Sequence, residues 1–351
     1  MTAVPFFEVR NLGKRFGSTE ALSIHHPVNL ELDRDELLVV LGPTGAGKTT
    51  LLRTIAGLEA PDCGHIFLEG REITVEPPGH RDFALVFQNF SLYPDKTVRQ
   101  NLAFPLKAPS RKLTVAAIND RIEWAAQLLR ITPLLDRKSN QLSGGEMQRV
   151  AIGRVIVRRP RLFLMDEPLS NLDAKLRETL RVELVELRRR LGVPMILVTH
   201  DQAEAMSMAD RIVVLSDGRV MQTGTPQHVY RQPASPTVAR QLGQPPINLI
   251  EVHRESGYWI GSAGTAVLPA ESESAQRMIL GVRPEDVALD GSSGGEWAKV
   301  LIVEELGAMS VILIDWHGQR WHVIAPKPCS IVPGDTVYPT VNAERVRMWP
   351  T

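Results

Sequence analysis

The chain has 351 residues, 43% hydrophobic and 23% charged, and its 40 basic and 40 acidic side chains cancel to a formal net charge of zero. That length allows two domains with real cores. The charge balance argues against a whole-chain basic footprint for nucleic acid. Two cysteines, Cys63 and Cys329, stand far apart with no metal-ligand neighbour at short spacing. They argue against a disulfide framework and suit a reducing compartment.

In chain order, the opening "MTAVPFFEVRNLGKRF" has no apolar signal core. Apolar runs such as "LLVVL" (37–41) are strand-length, well short of the ~20 residues a membrane span needs. Strands are predicted at "ELLVVLG" (36–42), "RDFALVFQ" (81–88), "RLFLMDEP" (161–168), "PMILVTH" (194–200) and "DRIVVLSDG" (210–218). Amphipathic segments separate several of them, which predicts an α/β domain with a largely parallel, buried sheet. The stretch from about 95 to 150 breaks the alternation. "VAAINDRIEWAAQLLRI" (115–131) reads as a helix, and the region as a helical insert, about 89–155. The densest basic run, "RVIVRRPR" (154–161), reads as a solvated helix end. Near Pro233 the texture changes to a Pro-rich crossing, "QPASPTVARQLGQPPINL". Beyond it "KVLIVEELG", "SVILIDWHG", "QRWHVIA" and "DTVYPTV", with turns at His317-Gly318 and Pro333-Gly334, predict a small β-barrel. The expected division is 1–235 and 236–351.

"GPTGAGKTT" (42–50) follows one apolar strand and opens a helical pattern, the context a phosphate-binding loop requires. Gly42, Pro43, Thr44, Gly45, Ala46, Gly47, Lys48, Thr49 and Thr50 are its residues. Gly45 and Gly47 let backbone N–H groups close on a β-phosphate without a Cβ in the way. Lys48 brings positive charge to the β- and γ-phosphates, and Thr49 offers a hydroxyl to Mg²⁺. The helix N-terminus adds about half a positive charge. The strand "RLFLMDEP" delivers Asp166 to its end, where it can hold the Mg²⁺ shell. Glu167 follows, placed to activate water beside a γ-phosphate. His200 and Gln88 each end another apolar strand.

A second Gly-rich helix start, "LSGGE" (142–146), lies a hundred residues downstream. Ser143 is a helix cap, and Gly144, Gly145 and Glu146 follow it. Either the helix body simply packs, or its N-terminus binds an anion, or both. Packing alone does not account for two glycines, each of which weakens a helix by about 1 kcal/mol.

Together these segments resemble the ATP-binding subunit of ABC transporters. "GPTGAGKT" matches Walker A, "LFLMDE" Walker B and "LSGGE" the signature. "SNLDA" (170–174), with Asp173, matches the D-loop, Gln88 the Q-loop residue and His200 the switch histidine. The resemblance implies a P-loop ABC ATPase domain with a helical insert, followed by an all-β OB-type domain. It implies ATP and Mg²⁺ as cofactors, with Thr49, Gln88 and Asp166 around the metal and Glu167, His200 and Gln88 in hydrolysis. The signature would cover the nucleotide of an opposite subunit, most simply a second copy of the chain. Phe16, in "LGKRFGS", would stack on adenine, as ring stacking requires no hydroxyl. "GVRPEDVAL" (281–289), "FQNFSLYPDKTVRQNLAFPLK" (87–107), "GTPQHVYRQPAS" and "PPINLI" are similar to the carbohydrate-importer branch, which takes up sugars, polyols or glycerol-3-phosphate. Two membrane permease subunits, an extracytoplasmic solute-binding protein and a place on the cytoplasmic face of the membrane follow from that resemblance. The C-terminal domain could also bind a regulator. Polyamine or iron import is an alternative cargo, and a soluble ABC ATPase a further alternative. The single cassette and absence of heptads disfavour the last.

Overall fold

The computed structural model describes residues 4–15, 23–87, 91–108, 111–261, 266–269, 276–289, 297–316 and 318–351. These form two compact units, Met1–Gln227 and His228–Thr351.

The first unit opens on β1 (Phe7–Lys14) and β2 (Ile24–Leu32). β3 (Leu37–Leu41) leads into α1 (Lys48–Ala56), followed by β4 (Cys63–Leu68), β5 (Arg71–Glu72), the one-turn α2 (Pro78–Arg81) and β6 (Phe83–Val86). Then come α3 (Val98–Ala103), α4 (Val115–Leu128) and α5 (Gly144–Ile156), helices in the stretch read as an insert. β7 (Leu162–Asp166), α6 (Ala174–Leu191), β8 (Met195–Thr199), α7 (Gln202–Met208), β9 (Arg211–Ser216) and β10 (Arg219–Gly224) complete the unit.

One sheet has the order β10-β9-β3-β8-β7-β6, parallel except for the antiparallel β9–β10 pair. Every residue of β3 and β8 is buried. Strands covered on both faces read as continuous apolar runs, which is why periodicity found them. The second sheet, β2-β1-β4-β5, is antiparallel. One core joins the two: Phe7, Val28 and Ile66 from the second sheet, Leu51 and Ile55 from α1, and Val40, Leu164, Ile196 and Val213 from the first. Burial of each such side chain contributes about 1.5–3 kcal/mol.

Helix α4 ends earlier than its sequence pattern suggests. Arg130 takes a φ of 56°, a left-handed value that stops a helix. Asn101 holds the insert together from inside: its Nδ2 donates to Tyr93 O and Ser139 Oγ, and its Oδ1 accepts from Tyr93 N.

The second unit begins within α8 (Pro226–Arg231), followed by α9 (Pro236–Arg240), so the Pro-rich crossing is partly helical. Two β-sheets dominate it, with a two-stranded pair beside them. The first carries β11 (Asn248–Glu255), β12 (Tyr258–Gly261), β13 (Ala266–Pro269) and β14 (Arg277–Val282), then β15 (Val287–Ala288) stands apart. β16 (Ala298–Glu305), β17 (Met309–Trp316) and β18 (Gln319–Pro326) form the hairpins read from sequence; β19 (Thr336–Val337), β20 (Thr340–Val341) and β21 (Arg347–Pro350) follow. The orders are β13-β12-β11-β14-β21, β18-β17-β16-β19 and β15-β20. Their inner faces share a core that includes Ile250, Trp259, Leu280, Ile312 and Trp321.

In "GVRPEDVAL", Arg283 is buried beneath Tyr230, its guanidinium 4.0 Å from the ring centre. It donates to the carbonyls of Ala239, Leu242 and Tyr230. Burial pushes the guanidinium pKa down. That motif is therefore a clamp on the α8–α9 segment. Tyr230 in turn donates its hydroxyl to Glu285.

Candidate functional site

The parallel register sets the site. Leu41 pairs with Thr199, and Asp166 with Val198. The chain segments leaving β3, β7 and β8 therefore emerge side by side at the carboxyl edge of one sheet, where open α/β sheets bind ligands.

After β3 the chain wraps into residues 42–47. Gly45 and Gly47 have φ values of 86° and 92°, which a side chain would resist. Gly42 has a tighter constraint: a Cβ there would lie 2.2 Å from Leu215 O. Helix α1 starts at Gly47 with no side-chain cap. By contrast, Thr97, Thr114, Ser143, Asp173 and Asp201 cap α3, α4, α5, α6 and α7 with their side chains. The leading N–H groups of α1 thus suit an anion, the usual partner of an uncapped helix start.

Lys48 is 5% exposed, and its Nζ donates to Gly42 O at 2.9 Å and Pro43 O at 3.0 Å. Its ammonium lies 3.7 Å from Glu167 Oε1. Burial holds its pKa below the ordinary lysine value, against the pull of Glu167 and Asp166. Thr49 Oγ1 donates to Asp166 Oδ1 at 3.1 Å. Burial raises the Asp166 carboxyl above its ordinary value, partly opposed by the Thr49 hydroxyl. Neither charge is fully compensated by protein, and both would be relieved by phosphate oxygens and a divalent cation. The hydroxyl and carboxylate oxygens are hard donors of the kind Mg²⁺ takes alongside substrate phosphates. Among the described residues no cluster of three or more His, Cys, Asp or Glu forms a metal cage of its own. The residues present fit a nucleotide with its metal.

Glu167 has a φ of 44°, uncommon for a side chain of this size. Three hydrogen bonds hold it: Glu167 N donates to Val198 O, and Glu167 O accepts from Ser170 N and Ser170 Oγ. This twist sets its carboxylate against His200, whose Nδ1 is 3.1 Å from Glu167 Oε1.

The signature segment lies on α5. Ser143 Oγ accepts from Glu146 N and Glu146 accepts from Ser143 N at 2.8 Å, a reciprocal capping box. The Ser143 N–H holds the Glu146 carboxyl below its ordinary value. A Cβ on Gly145 would lie 2.9 Å from Leu176 Cδ1, and one on Gly144 3.3 Å from Leu172 Cδ2. Close packing of α5 on α6 is thus one reason for a glycine at 145, where a Cβ would have to displace the Leu176 side chain, and it leaves the anion-binding reading of the motif open. Asp173 caps α6 through Leu176 N at 2.9 Å.

The structure thus brings Lys48, Thr49, Asp166, Glu167 and His200 together. Gln88 and Phe16 lie outside the described residues. Sequence reasoning missed Arg177 and Glu204. Arg177 is signalled by a cation in the first turn of α6, where the helix dipole disfavours it. Glu204 is 2% exposed, and burial pushes its carboxyl up although the Thr199 hydroxyl bonds to it.

A parallel sheet with this loop, these acids and this histidine at its carboxyl edge defines a P-loop ATPase. Residues 25–170 match the family model described as ABC transporter. The chain belongs to the ABC transporter family, among its ATP-binding import proteins; it binds ATP and is an ATPase coupled to transport. It is 42% identical to the sn-glycerol-3-phosphate import ATP-binding protein UgpC of Cupriavidus necator, over 97% of this chain and 96% of that one. The proteins of that name from Ruegeria pomeroyi and Rhizobium meliloti are 45% and 47% identical, covering 88% and 81% of this chain and 85% and 81% of theirs. Among solved structures, cbiO1 from Clostridium perfringens, described as part of the ABC transporter complex cbiONQ, aligns with a TM-score of 0.59. It is 28% identical over 68% of this chain and 94% of that one. An ATP-binding cassette of an ABC transporter in its ADP conformation shares the fold at a TM-score of 0.58. Identity there is 23%, covering 67% of this chain and 98% of the other. No helix among the described residues is long and apolar enough to cross a membrane.

Proposed function

We propose that two copies of this chain close on two molecules of Mg-ATP and hydrolyse them to drive import of sn-glycerol-3-phosphate or a related carbohydrate. The observation that carries the reading is the convergence of Lys48, Thr49, Asp166, Glu167 and His200 at one sheet edge. Residues 42–50 bind the phosphates, Lys48 by charge and the α1 N-terminus by its N–H groups. Thr49, Asp166 and Gln88 would hold Mg²⁺, which when bound would neutralise phosphate charge. Glu167 takes a proton from water as the water oxygen bonds to the γ-phosphorus and the bond to the bridging oxygen breaks, leaving ADP and phosphate. His200, against Glu167, steadies the attacking water and the γ-phosphate.

Ser143, Gly144, Gly145 and Glu146 of each copy cover the nucleotide of the other, with Asp173 at the same boundary, and Phe16 stacks on adenine. Complete motifs in a single cassette support a homodimer. Two membrane permease subunits dock near Gln88 to Tyr93, and specificity lies with them and an extracytoplasmic solute-binding protein. The chain then works at the cytoplasmic face of the membrane, with no nucleic acid as partner. The cargo reading is supported by the names of the relatives above; uptake of labelled glycerol-3-phosphate by the reconstituted complex tests it, and transport of a polyamine or iron instead would overturn it.

Light scattering on Glu167→Gln with and without Mg-ATP tests the paired site. A nucleotide-dependent dimer that disappears when Ser143→Arg is added supports the shared site. A dimer indifferent to Ser143→Arg sinks it.

A further inference from the structure

The segment after Glu167 and the turn that carries His200 converge on one guanidinium. Arg177 lies in the first turn of α6, just after the Asp173 cap. Its Nε donates to Leu169 O at 3.3 Å, and its Nη2 donates to Leu172 O at 3.0 Å and Ser170 O at 3.4 Å. Its Nη1 lies 3.6 Å from Asp201 Oδ2. The positive end of a helix dipole disfavours a cation there, so these partners are what make the position favourable.

Each end of this contact is tied to a residue of the site. On one side Glu167 O accepts from Ser170 N and Oγ, so the carbonyls that Arg177 gathers begin at the Glu167 turn. On the other side, Asp201 directly follows His200. Its Oδ1 accepts from Ala203 N at 2.7 Å and Glu204 N at 3.2 Å, and its N–H donates to Thr199 Oγ1 at 3.0 Å. The His200 turn is therefore pinned to α7 by one Asp201 oxygen and faces Arg177 with the other. A planar fork can serve three carbonyls and a carboxylate together; an ammonium cannot.

Resting on the reading of Glu167 and His200 given above, we propose that Arg177 is a positioning residue for hydrolysis. It joins residues 169–172 to the His200 turn in one frame, so that the 3.1 Å approach of His200 to Glu167 is set before nucleotide closes the site.

The test uses the full chain as wild type, Arg177→Gln, Arg177→Lys and Asp201→Asn. Three readouts are taken: ATP turnover, affinity for a fluorescent ATP analogue, and amide hydrogen exchange without nucleotide. Misplacement of catalytic groups by an ångström costs up to about a hundredfold, so Arg177→Gln is expected to lower kcat by at least about tenfold with KM and analogue affinity within about twofold. Amides of 169–173 and of 200–204 should exchange faster together, while α1 is unchanged. Arg177→Lys, which keeps the charge but not the fork, stays impaired. Asp201→Asn keeps an oxygen for the α7 cap yet should loosen 169–173, a distant segment that a purely local role would leave alone. Wild-type turnover in Arg177→Gln, or 169–173 unchanged in Asp201→Asn, overturns the proposal. If Arg177→Gln does not fold, Asp201→Asn decides by the same exchange readout. Failure of the Glu167 reading would appear separately, as turnover surviving Glu167→Gln.

Discussion

His200 and Glu167 directly follow different strands, β8 and β7, yet His200 Nδ1 stands 3.1 Å from Glu167 Oε1. The side chains differ in exposure, 52% for the histidine and 17% for the glutamate. The carboxylate is therefore the sheltered member of the pair, and the imidazole faces outward. Glu167→Gln preserves shape and removes the proposed base. Turnover is expected to fall by about a hundred- to ten-thousandfold with ATP affinity retained, read by phosphate release and equilibrium binding. Loss of binding and turnover together would show that the variant damages the pocket instead.

The Asp166 carboxyl yields a prediction with a defined sign. Burial raises it above the ordinary value of 3.8. A carboxyl whose folded pKa exceeds its unfolded one favours folding most at pH below the unfolded value, and that benefit is lost as pH rises through the folded value. At pH 7 the ligand-free chain therefore carries this charge at a cost. Asp166→Asn is expected to raise the unfolding temperature at pH 7 without nucleotide, and to shrink the further rise produced by Mg-ATP. Thermal unfolding at several pH values, with and without Mg-ATP, checks both. A lower unfolding temperature for the ligand-free variant would contradict the burial argument.

Gly144 and Gly145 should differ in their tolerance of side chains. A Cβ at Gly145 meets Leu176 at 2.9 Å, and one at Gly144 meets Leu172 at 3.3 Å. Gly145→Val is expected to destabilise the first unit by about 1–3 kcal/mol through overpacking. Gly144→Ala is expected to be neutral or to gain up to about 1 kcal/mol of helix propensity. Urea unfolding of both variants separates these cases.

Arg283 has no simple replacement. Removing a buried guanidinium that serves three carbonyls and stacks on Tyr230 takes a donor from each of them, although Ala239 O keeps Leu242 N. Arg283→Ala is expected to cost the second unit about 2–4 kcal/mol while ATP affinity is unchanged. Calorimetry paired with nucleotide binding distinguishes this from damage to the ATPase site.

The sequence made β3, β6, β7, β8 and β9 legible because strands buried on both faces are unbroken apolar runs that end where chemistry begins. β1 was not legible. Its register shifts between Val9 and Leu12, and Arg10 and Asn11 are exposed, so the period-two alternation fails in mid-strand. β2 carries Pro27, a residue that argues against a strand. In the second unit the consecutive hairpins β16, β17 and β18 were visible. β14 pairs instead with β21 across a long stretch of chain, Leu280 with Met348, and no local pattern encodes such a partner. Within the site, the residues proposed to meet phosphate or water stand in motifs, whereas Arg177 and Glu204, whose contacts are with backbone and neighbouring side chains, leave only weak marks.

The pairing of Asp166 with Val198 and of Leu41 with Thr199 also bears on how this gene can change in length. Side chains alternate between faces along a strand, so a slip by one residue inverts every one beyond it. A single codon lost from within β7 or β8 would turn Asp166 and Glu167, or Thr199 and His200, to opposite sides while leaving the apolar core nearly as hydrophobic as before. Substitutions in these strands can be conservative; deletions cannot. Variation in length among functional descendants of this chain should therefore collect in the connections and the second unit, and be missing from the strands that lead into the phosphate loop, the paired acids and the histidine.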